Sequence, residues 1–299
     1  MNNFKFPIHI LFFLSFYSLS FMKGFCSLPS PFQNPLHTTE IIQGRSINIY
    51  LPAQYSQSDT HTQWTLIVLL HGYSSSGVQI NQALGLSNDT SNEKFILAVP
   101  EGTIDKNQKK FWNATPFCCN FEHLPVDDVS FLSELIDKTS EKYLVDPQRV
   151  FIFGHSNGAF MANRLACEIP EKLAGIITLG GTGFWDNSQC LHHDPMNVLH
   201  IHGTNDQTIS FEGSPNNYPG AIAMMERWQE INGCDPLKTE TRWEDLEYRI
   251  GGKETEILQW SDCHSQKQTV LFQMKGVGHI PSFNSSFKKE VFNFIKIIK

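Results

Sequence analysis

The sequence predicts an α/β fold in which a mainly parallel, twisted sheet carries helices on both faces. Short apolar runs alternate with segments of helical periodicity along most of the chain, and this alternation is typical of βαβ units. Several runs are hydrophobic at every position, as expected for strands that are covered on both faces. The 299 residues, of which 40% are hydrophobic and 18% charged, suffice for one large domain with a buried core.

Apolar runs define the predicted strands, and residues spaced three and four apart define the predicted helices. The strands are residues 46–50, 66–70, 95–99, 150–153, 175–179, 198–201 and 270–273. The helices are residues 128–143, 157–168 and 221–231. Asp127 and Asp128 stand at the start of the first of these helices, where carboxylates cap the free amides of the first turn.

The N-terminal segment has the pattern of an export signal. Lys5 precedes an apolar run that continues to Met22, which is typical of a secretory signal peptide. We expect a signal peptide at residues 1–26, a flexible lead-in at 27–40 and one folded domain at 41–299. The protein would then be secreted or periplasmic, without stable membrane insertion after cleavage. A retained anchor is the alternative, because the run is near the lower length limit for a spanning helix.

Export permits disulfide bonds. The cysteines that follow the expected leader are Cys118, Cys119, Cys167, Cys190, Cys234 and Cys263. We favour a pair between Cys234 and Cys263, because both lie in polar segments of the C-terminal third. The partners of the other four stay open, and buried free thiols are the alternative for all six.

One five-residue motif carries the chemistry. Gly154-His-Ser156-Asn-Gly158 follows a predicted strand directly and opens a predicted helix. This strand–turn–helix context is the one in which a G-x-S-x-G nucleophile elbow exposes its serine oxygen above the sheet. The backbone N–H of Asn157 would then stand at the helix start, where it can stabilise a developing oxyanion. The alternative is a glycine-rich turn with an incidental serine.

A serine nucleophile needs a base that is held by an acid. On this fold the order along the chain is serine, acid, histidine. Only His264 and His279 follow the strand that ends near residue 202, and His279 comes directly after an apolar strand. Asp206 also lies just beyond a predicted strand. We therefore predict a triad of Ser156, Asp206 and His279, with a turn-forming role as the alternative for Asp206.

The second oxyanion donor on this fold comes from the loop after the third strand. Here the loop begins Leu70-His-Gly-Tyr73, and the backbone N–H of Tyr73 is the best candidate, with that of Gly72 behind it. His71 is expected to be structural. His200 and His202 share one face of a strand; we expect buried hydrogen-bonded histidines, which are the more common case, and a metal pair is the alternative. We expect no metal and no cofactor. The net charge of −7 argues against nucleic acid as a partner.

With the triad placed, the chain resembles the poly(3-hydroxybutyrate) depolymerase and feruloyl esterase-like family of secreted α/β-hydrolases, from about residue 41 to the C-terminus. The matching residues are Leu70-His-Gly72, Pro100-Glu-Gly102, Trp112-Asn-Ala114, Cys118-Cys119, Val126-Asp-Asp-Val129, Phe131-Leu132, the region from Asp146-Pro147 to Asn157-Gly158, Leu165-Ala-Cys-Glu168, His200-Ile-His-Gly-Thr204 with Asp206, Asn232-Gly-Cys234 and Gly278-His279.

The resemblance implies an α/β-hydrolase fold and the same triad. It also implies a Cys234–Cys263 bridge, a structural role for Cys118-Cys119, and hydrolysis of a carboxylic ester in a small molecule, a polyester or an esterified polysaccharide. Trp112 is a candidate for lining the substrate pocket, and a core or loop anchor is its alternative. One departure is Ile280-Pro281, where the family often has an aromatic residue and a proline. Peptidase or acyltransferase action on the same triad is the alternative reaction.

Overall fold

The computed structural model describes residues 36–57, 59 and 61–298. Their strands are Leu36–Ile42 (β1), Arg45–Leu51 (β2), Trp64–Leu70 (β3), Phe95–Pro100 (β4), Thr103–Ile104 (β5), Lys110–Phe111 (β6), Val145–His155 (β7), Gly175–Leu179 (β8), Asn197–Gly203 (β9), Gly213–Ser214 (β10), Tyr218–Pro219 (β11), Thr239–Glu244 (β12), Thr255–Trp260 (β13) and Thr269–Met274 (β14).

The α-helices of the same residues are Gly77–Leu84 (α1), Thr90–Glu93 (α2), Asp128–Tyr143 (α3), Asn157–Glu168 (α4), Ala221–Asn232 (α5) and Ser285–Ile297 (α6). Short 3₁₀ turns occur at Leu86–Asp89, Pro170–Lys172 and Asn187–Gln189. No helix in these described ranges combines the length and hydrophobicity that crossing a bilayer requires.

One sheet of ten strands organises the described residues, in the order β1-β2-β4-β3-β7-β8-β9-β14-β13-β12. The six strands from β4 to β14 are parallel to one another. Antiparallel strands extend both edges. The two-stranded pairs β5–β6 and β10–β11 lie outside this sheet. The predicted fold class is confirmed.

The sheet is buried on both faces, as the uniformly apolar runs predicted. In β3, Leu66 and Val68 belong to one buried cluster and Ile67 and Leu69 to the other, because successive side chains point to opposite faces. Helices α3, α4 and α5 cover the first cluster, and α1 and α6 cover the second. Each predicted strand and helix is present, most of them extended by one or a few residues.

The start of the fold differs from the expected lead-in at 27–40. β1 begins at Leu36 and pairs with β2 over its whole length, from Leu36 opposite Leu51 to Ile42 opposite Arg45. Residues 36–40 are therefore part of the domain, and its boundary moves earlier than residue 41. The polar edge strand lacks an apolar run because little of it is buried. The expected signal peptide and residues 27–35 lie outside the described residues.

Three disulfide bonds join the cysteines of the described chain. They are Cys118–Cys119, Cys167–Cys190 and Cys234–Cys263. The last is the pair favoured from the sequence, and the first two occupy positions whose partners the sequence left open. The Cys167–Cys190 bond ties the end of α4 to the segment before β9.

Candidate active site

Ser156 lies in the sharp turn between β7 and α4. Its backbone has φ 55° and ψ −119°, a conformation that non-glycine residues rarely adopt and that is found at functional turns. The flanking glycines permit the turn: a Cβ on Gly154 would lie 2.0 Å from the carbonyl oxygen of Gly158, and a Cβ on Gly158 would lie 2.4 Å from that of Leu70. The elbow geometry expected from the motif is therefore present.

A line of hydrogen bonds connects Ser156, His279 and Asp206. The Nε2 atom of His279 is 3.0 Å from Oγ of Ser156, and its Nδ1 atom is 2.7 Å from Oδ2 of Asp206. The three residues follow β7, β14 and β9, whose carboxyl ends meet at one edge of the parallel sheet, the usual place for working groups on such sheets. Ser156 and His279, which are 123 positions apart in the chain, are brought into contact in this way.

Asp206 is held as an anion. Its Oδ1 accepts the amides of Thr208 and Ile209 at 2.8 and 2.9 Å. Burial by itself would raise the pKa of this carboxyl, but hydrogen bonds from His202, His279 and the Ile209 amide outweigh burial and hold the pKa well below its ordinary value. A carboxylate at Oδ2 requires a proton on Nδ1 of His279, which leaves Nε2 free to accept from the Ser156 hydroxyl.

Gly180, directly after β8, makes room for the contact between His279 and Asp206. Its φ is +61°, and a Cβ there would lie 3.3 Å from Nδ1 of His279 and 3.5 Å from Oδ2 of Asp206. A side chain at this position would therefore press on the hydrogen bond between the two. Sequence reasoning missed this residue, although a glycine pair at the end of a buried strand is a pattern that could have identified it.

The two expected oxyanion donors belong to segments next to Ser156. Asn157 is the first residue of α4, so its amide is one of the first-turn donors that have no intrahelical partner. In the loop after β3, Gly72 approaches so closely that a Cβ on it would lie 3.1 Å from Cβ of Ser156. The next residue, Tyr73, is anchored by its hydroxyl, which donates to Asp105 at 3.0 Å. This arrangement brings the Tyr73 loop beside the serine.

Trp112 does not line the pocket, and its assignment as a substrate-binding residue is wrong. The side chain is fully buried, and its indole Nε1–H donates to the carbonyl of His71 at 2.9 Å. The side chain of Asn157 holds the Trp112 backbone at both ends: Oδ1 accepts from the amide at 2.7 Å, and Nδ2 donates to the carbonyl at 2.9 Å. Trp112 does lie near the site, but its indole N–H, the one polar group of the side chain, is bound to a backbone carbonyl in the core.

Two further histidines support the loops of the site. Nε2 of His71 accepts from the Gly102 amide at 3.0 Å, so its Nδ1–H donates to the carbonyl of Gly72 at 2.8 Å. Nε2 of His155 lies 3.2 Å from the carbonyl of His279 and donates to it. Burial, followed by the neighbouring His279, lowers the pKa of His155 to about 4. It is therefore a neutral donor that fixes the His279 loop.

An open cavity of about 350 Å³ is lined in part by His155 and Ile280, the chain neighbours of Ser156 and His279. Most of its wall is apolar, formed by α1 and by the segment after His279, and a polar edge is formed by Ser74, Ser75 and Gln79. The lining residues are Tyr73, Ser74, Ser75, Gln79, Ile80, Ala83, Leu84, His155, Leu179, Ile280, Pro281 and Phe283. The departure at Ile280-Pro281 therefore lies in the cavity wall.

Among the described residues, no group of three or more His, Cys, Asp and Glu side chains is arranged to hold a metal ion.

The chain belongs to the phospholipase/carboxylesterase family, which residues 54–231 match. This membership confirms the predicted class, a carboxylic ester hydrolase with the α/β-hydrolase fold. Among solved structures, an acetyl xylan esterase from Aspergillus awamori superposes with a TM-score of 0.60 at 18% identity, over 87% of this chain and 98% of that one. At that identity the match concerns the fold alone.

Curated relatives carry names of three related kinds. Feruloyl esterase D of Neurospora crassa is 25% identical over 271 residues, 86% of this chain and 82% of that protein. Bifunctional acetylxylan esterase/xylanase XynS20E of Neocallimastix patriciarum is 21% identical over 253 residues, 84% of this chain. Poly(3-hydroxyalkanoate) depolymerase C of Paucimonas lemoignei is 27% identical over 120 residues, 39% of this chain and 27% of that protein. The chain spans only about a third of the acetylxylan esterase/xylanase.

Proposed function

We propose that the protein is an exported serine hydrolase that cleaves carboxylic esters through an acyl-enzyme on Ser156. The observation that carries the proposal is the hydrogen-bonded line from Asp206 through His279 to Ser156, which ends on a serine held at positive φ before α4. A serine at such a turn, with a base within 3.0 Å and an anion behind the base, is suited to nucleophilic attack.

In the proposed first step, Oγ of Ser156 attacks the ester carbonyl carbon while Nε2 of His279 takes the hydroxyl proton. The amides of Asn157 and Tyr73 stabilise the oxyanion, and Asp206 stabilises the imidazolium. His279 then gives the proton to the leaving alcohol, and the acyl group stays on Ser156. Water attacks the acyl-enzyme with His279 as base, which releases the acid and restores the serine.

The substrate class is proposed from the relatives and from the cavity. The names of the relatives, feruloyl esterase, acetylxylan esterase and poly(3-hydroxyalkanoate) depolymerase, all describe action on esters. The cavity of about 350 Å³ lies within the size range of small-molecule sites. Its apolar wall suits the hydrocarbon part of an acyl group, and Ser74, Ser75 and Gln79 suit its polar substituents. We propose feruloyl, acetylxylan or hydroxyalkanoate esters as substrates.

The proposed export is supported by the disulfide bonds of the folded domain. Cys167–Cys190 and Cys234–Cys263 join segments that are 23 and 29 positions apart, and such bonds persist in oxidising compartments. Recovery of the chain from the culture medium, with an N-terminus near residue 27 by sequencing, is the expected result. A chain recovered in the membrane fraction with its leader intact would favour the anchor instead.

A panel of esters assayed with Ser156→Ala as the matched variant tests the activity. Short-chain nitrophenyl esters, methyl ferulate, acetylated xylan and hydroxybutyrate oligomers would be compared by release of free acid. We expect Ser156→Ala to lower turnover on the order of 10⁴-fold without unfolding. Undiminished hydrolysis by this variant would refute the proposal. Amide cleavage, or acyl transfer to an added alcohol in place of acid release, would assign a peptidase or acyltransferase.

A further inference from the structure

Buried polar side chains that the proposed mechanism does not use continue from Asp206 into the sheet. Thr178 lies on β8, and His200 and His202 lie on β9, two residues apart and therefore on one face. The sheet register places Thr178 directly opposite His200. All three side chains are almost completely buried, with exposures of 1%, 1% and 0%. Buried polar groups are costly unless they are hydrogen-bonded.

Each of these side chains has a partner in the line. Oγ1 of Thr178 is 2.8 Å from Nδ1 of His200, and Nε2 of His200 is 3.2 Å from Nδ1 of His202. Nε2 of His202 is 2.9 Å from the carbonyl oxygen of Ile209 and 3.3 Å from Oδ2 of Asp206. The last atom is the same carboxylate oxygen that accepts from His279.

The partners determine where the protons are. A carbonyl and a carboxylate can only accept, so Nε2 of His202 carries a proton, which points to the Ile209 carbonyl at 2.9 Å with Oδ2 of Asp206 at 3.3 Å from the same nitrogen. Burial, together with the neighbouring His202, lowers the pKa of His200 well below its ordinary value, so His200 is neutral. With Nδ1 of His202 accepting, His200 donates through Nε2, and its Nδ1 accepts from the Thr178 hydroxyl. Every donor then meets an acceptor.

We propose that His202 is a positioning residue for the triad: it orients the Asp206 carboxylate through Oδ2, and His200 and Thr178 keep His202 in the tautomer that donates. Amides of Thr208 and Ile209 hold Oδ1, so His202 is the group that fixes Oδ2 independently of His279. The direction of Oδ2 sets the direction of the His279 ring, and hence the distance from Nε2 to Ser156. The inference rests on the proposed function, because it assigns His202 a part in the same reaction.

Two substitutions of His202 with similar side-chain length separate this role from simple filling of the core. Glutamine keeps a terminal N–H donor beside an acceptor oxygen, whereas methionine keeps the volume and has no donor. We expect His202→Met to lower kcat about tenfold or more with KM nearly unchanged, because a hydrogen bond to a charged group is lost. His202→Gln should keep kcat within about threefold of the wild type, since its donor replaces Nε2–H.

The readout is kcat and KM on one nitrophenyl ester, with the melting temperature of each variant. Equal kcat for the two variants, or losses of kcat that follow the melting temperature, would overturn the proposal. If His202→Met does not fold, Thr178→Val and Thr178→Ser apply the same test at the far end of the line, because only serine keeps the hydroxyl. We expect valine to lower kcat and serine to retain it. Equal kcat of that pair overturns the proposal too.

The proposed function and this inference fail in different ways. Activity that survives in Ser156→Ala refutes the ester hydrolase mechanism itself. An inactive Ser156→Ala together with equally active His202→Met and His202→Gln leaves the mechanism standing and refutes only the role of His202.

Discussion

The substitution Asn157→Ala tests whether the elbow and the Trp112 segment are held together by one side chain. Asn157 and Trp112 are both fully buried. The amide group of Asn157 makes two hydrogen bonds to the Trp112 backbone, at 2.7 and 2.9 Å. Alanine removes both bonds and keeps the Asn157 backbone N–H that is proposed to bind the oxyanion.

The expected loss follows from the two backbone groups that are left without a partner. Each buried, unpaired N–H or C=O costs about 1–3 kcal/mol. Water that enters the space left by the side chain recovers part of this cost. We therefore expect Asn157→Ala to lower the free energy of unfolding by about 2–4 kcal/mol.

Asn163→Ala is the matched control on the same helix. Asn163 is also buried, and its Nδ2 donates to the Ala159 carbonyl at 3.0 Å. That carbonyl keeps its helical partner after the substitution, so we expect a loss of only about 1 kcal/mol. Urea unfolding gives both values from the midpoints at constant slope. Equal losses, or less than about 1 kcal/mol for Asn157→Ala, would show that the reasoning from the Trp112 contacts is mistaken.

Two further predictions concern the loops of the site. Gly180→Ala should lower kcat about tenfold or more, because the added Cβ meets His279 and Asp206. The control is Gly233→Ala, which has a similar φ of +63° and meets His264 instead, so it should cost similar stability and keep kcat. Equal kcat of the two variants would contradict this prediction. The pKa of His155 is about 4 in the folded chain and about 6.5 in the unfolded chain. The contribution of neutral His155 to stability is therefore fully present above about pH 6.5 and is lost as the pH is lowered toward 4. His155→Gln, which keeps the Nε2 donor without titrating, should show a smaller fall in urea unfolding between pH 7 and pH 4, and an equal fall would refute the assignment.

Local sequence patterns predicted the parallel strands, the nucleophile motif and the order of the candidate triad. Apolar runs identified the parallel strands because a strand covered on both faces cannot be polar anywhere. The elbow motif was readable because only glycines permit such close backbone contacts around Ser156. Chain order then selected Asp206 and His279, since both follow strands whose ends meet at one edge of the sheet. None of these conclusions required knowledge of a tertiary contact in this chain.

The edges of the sheet were harder to predict. β1 and β12 are mostly exposed and carry polar and charged residues, so no apolar run identifies them. Charged side chains on edge strands are a common protection against pairing with other chains. Their place in the fold depends on backbone hydrogen bonds to β2 and β13, and these bonds do not involve the side chains.

The sequence alone thus determined the α/β fold, the candidate nucleophile Ser156 and its chain order with Asp206 and His279. Each of these depends on residues that are close in sequence or on the position of a strand along the chain. Only the tertiary structure decided that Trp112 is an anchor, that Gly180 makes room for the triad, and that His202 contacts Asp206. These roles depend on distances between separate segments. A residue type and its neighbours do not specify such distances, because they arise when the strands pair and the loops at their ends meet.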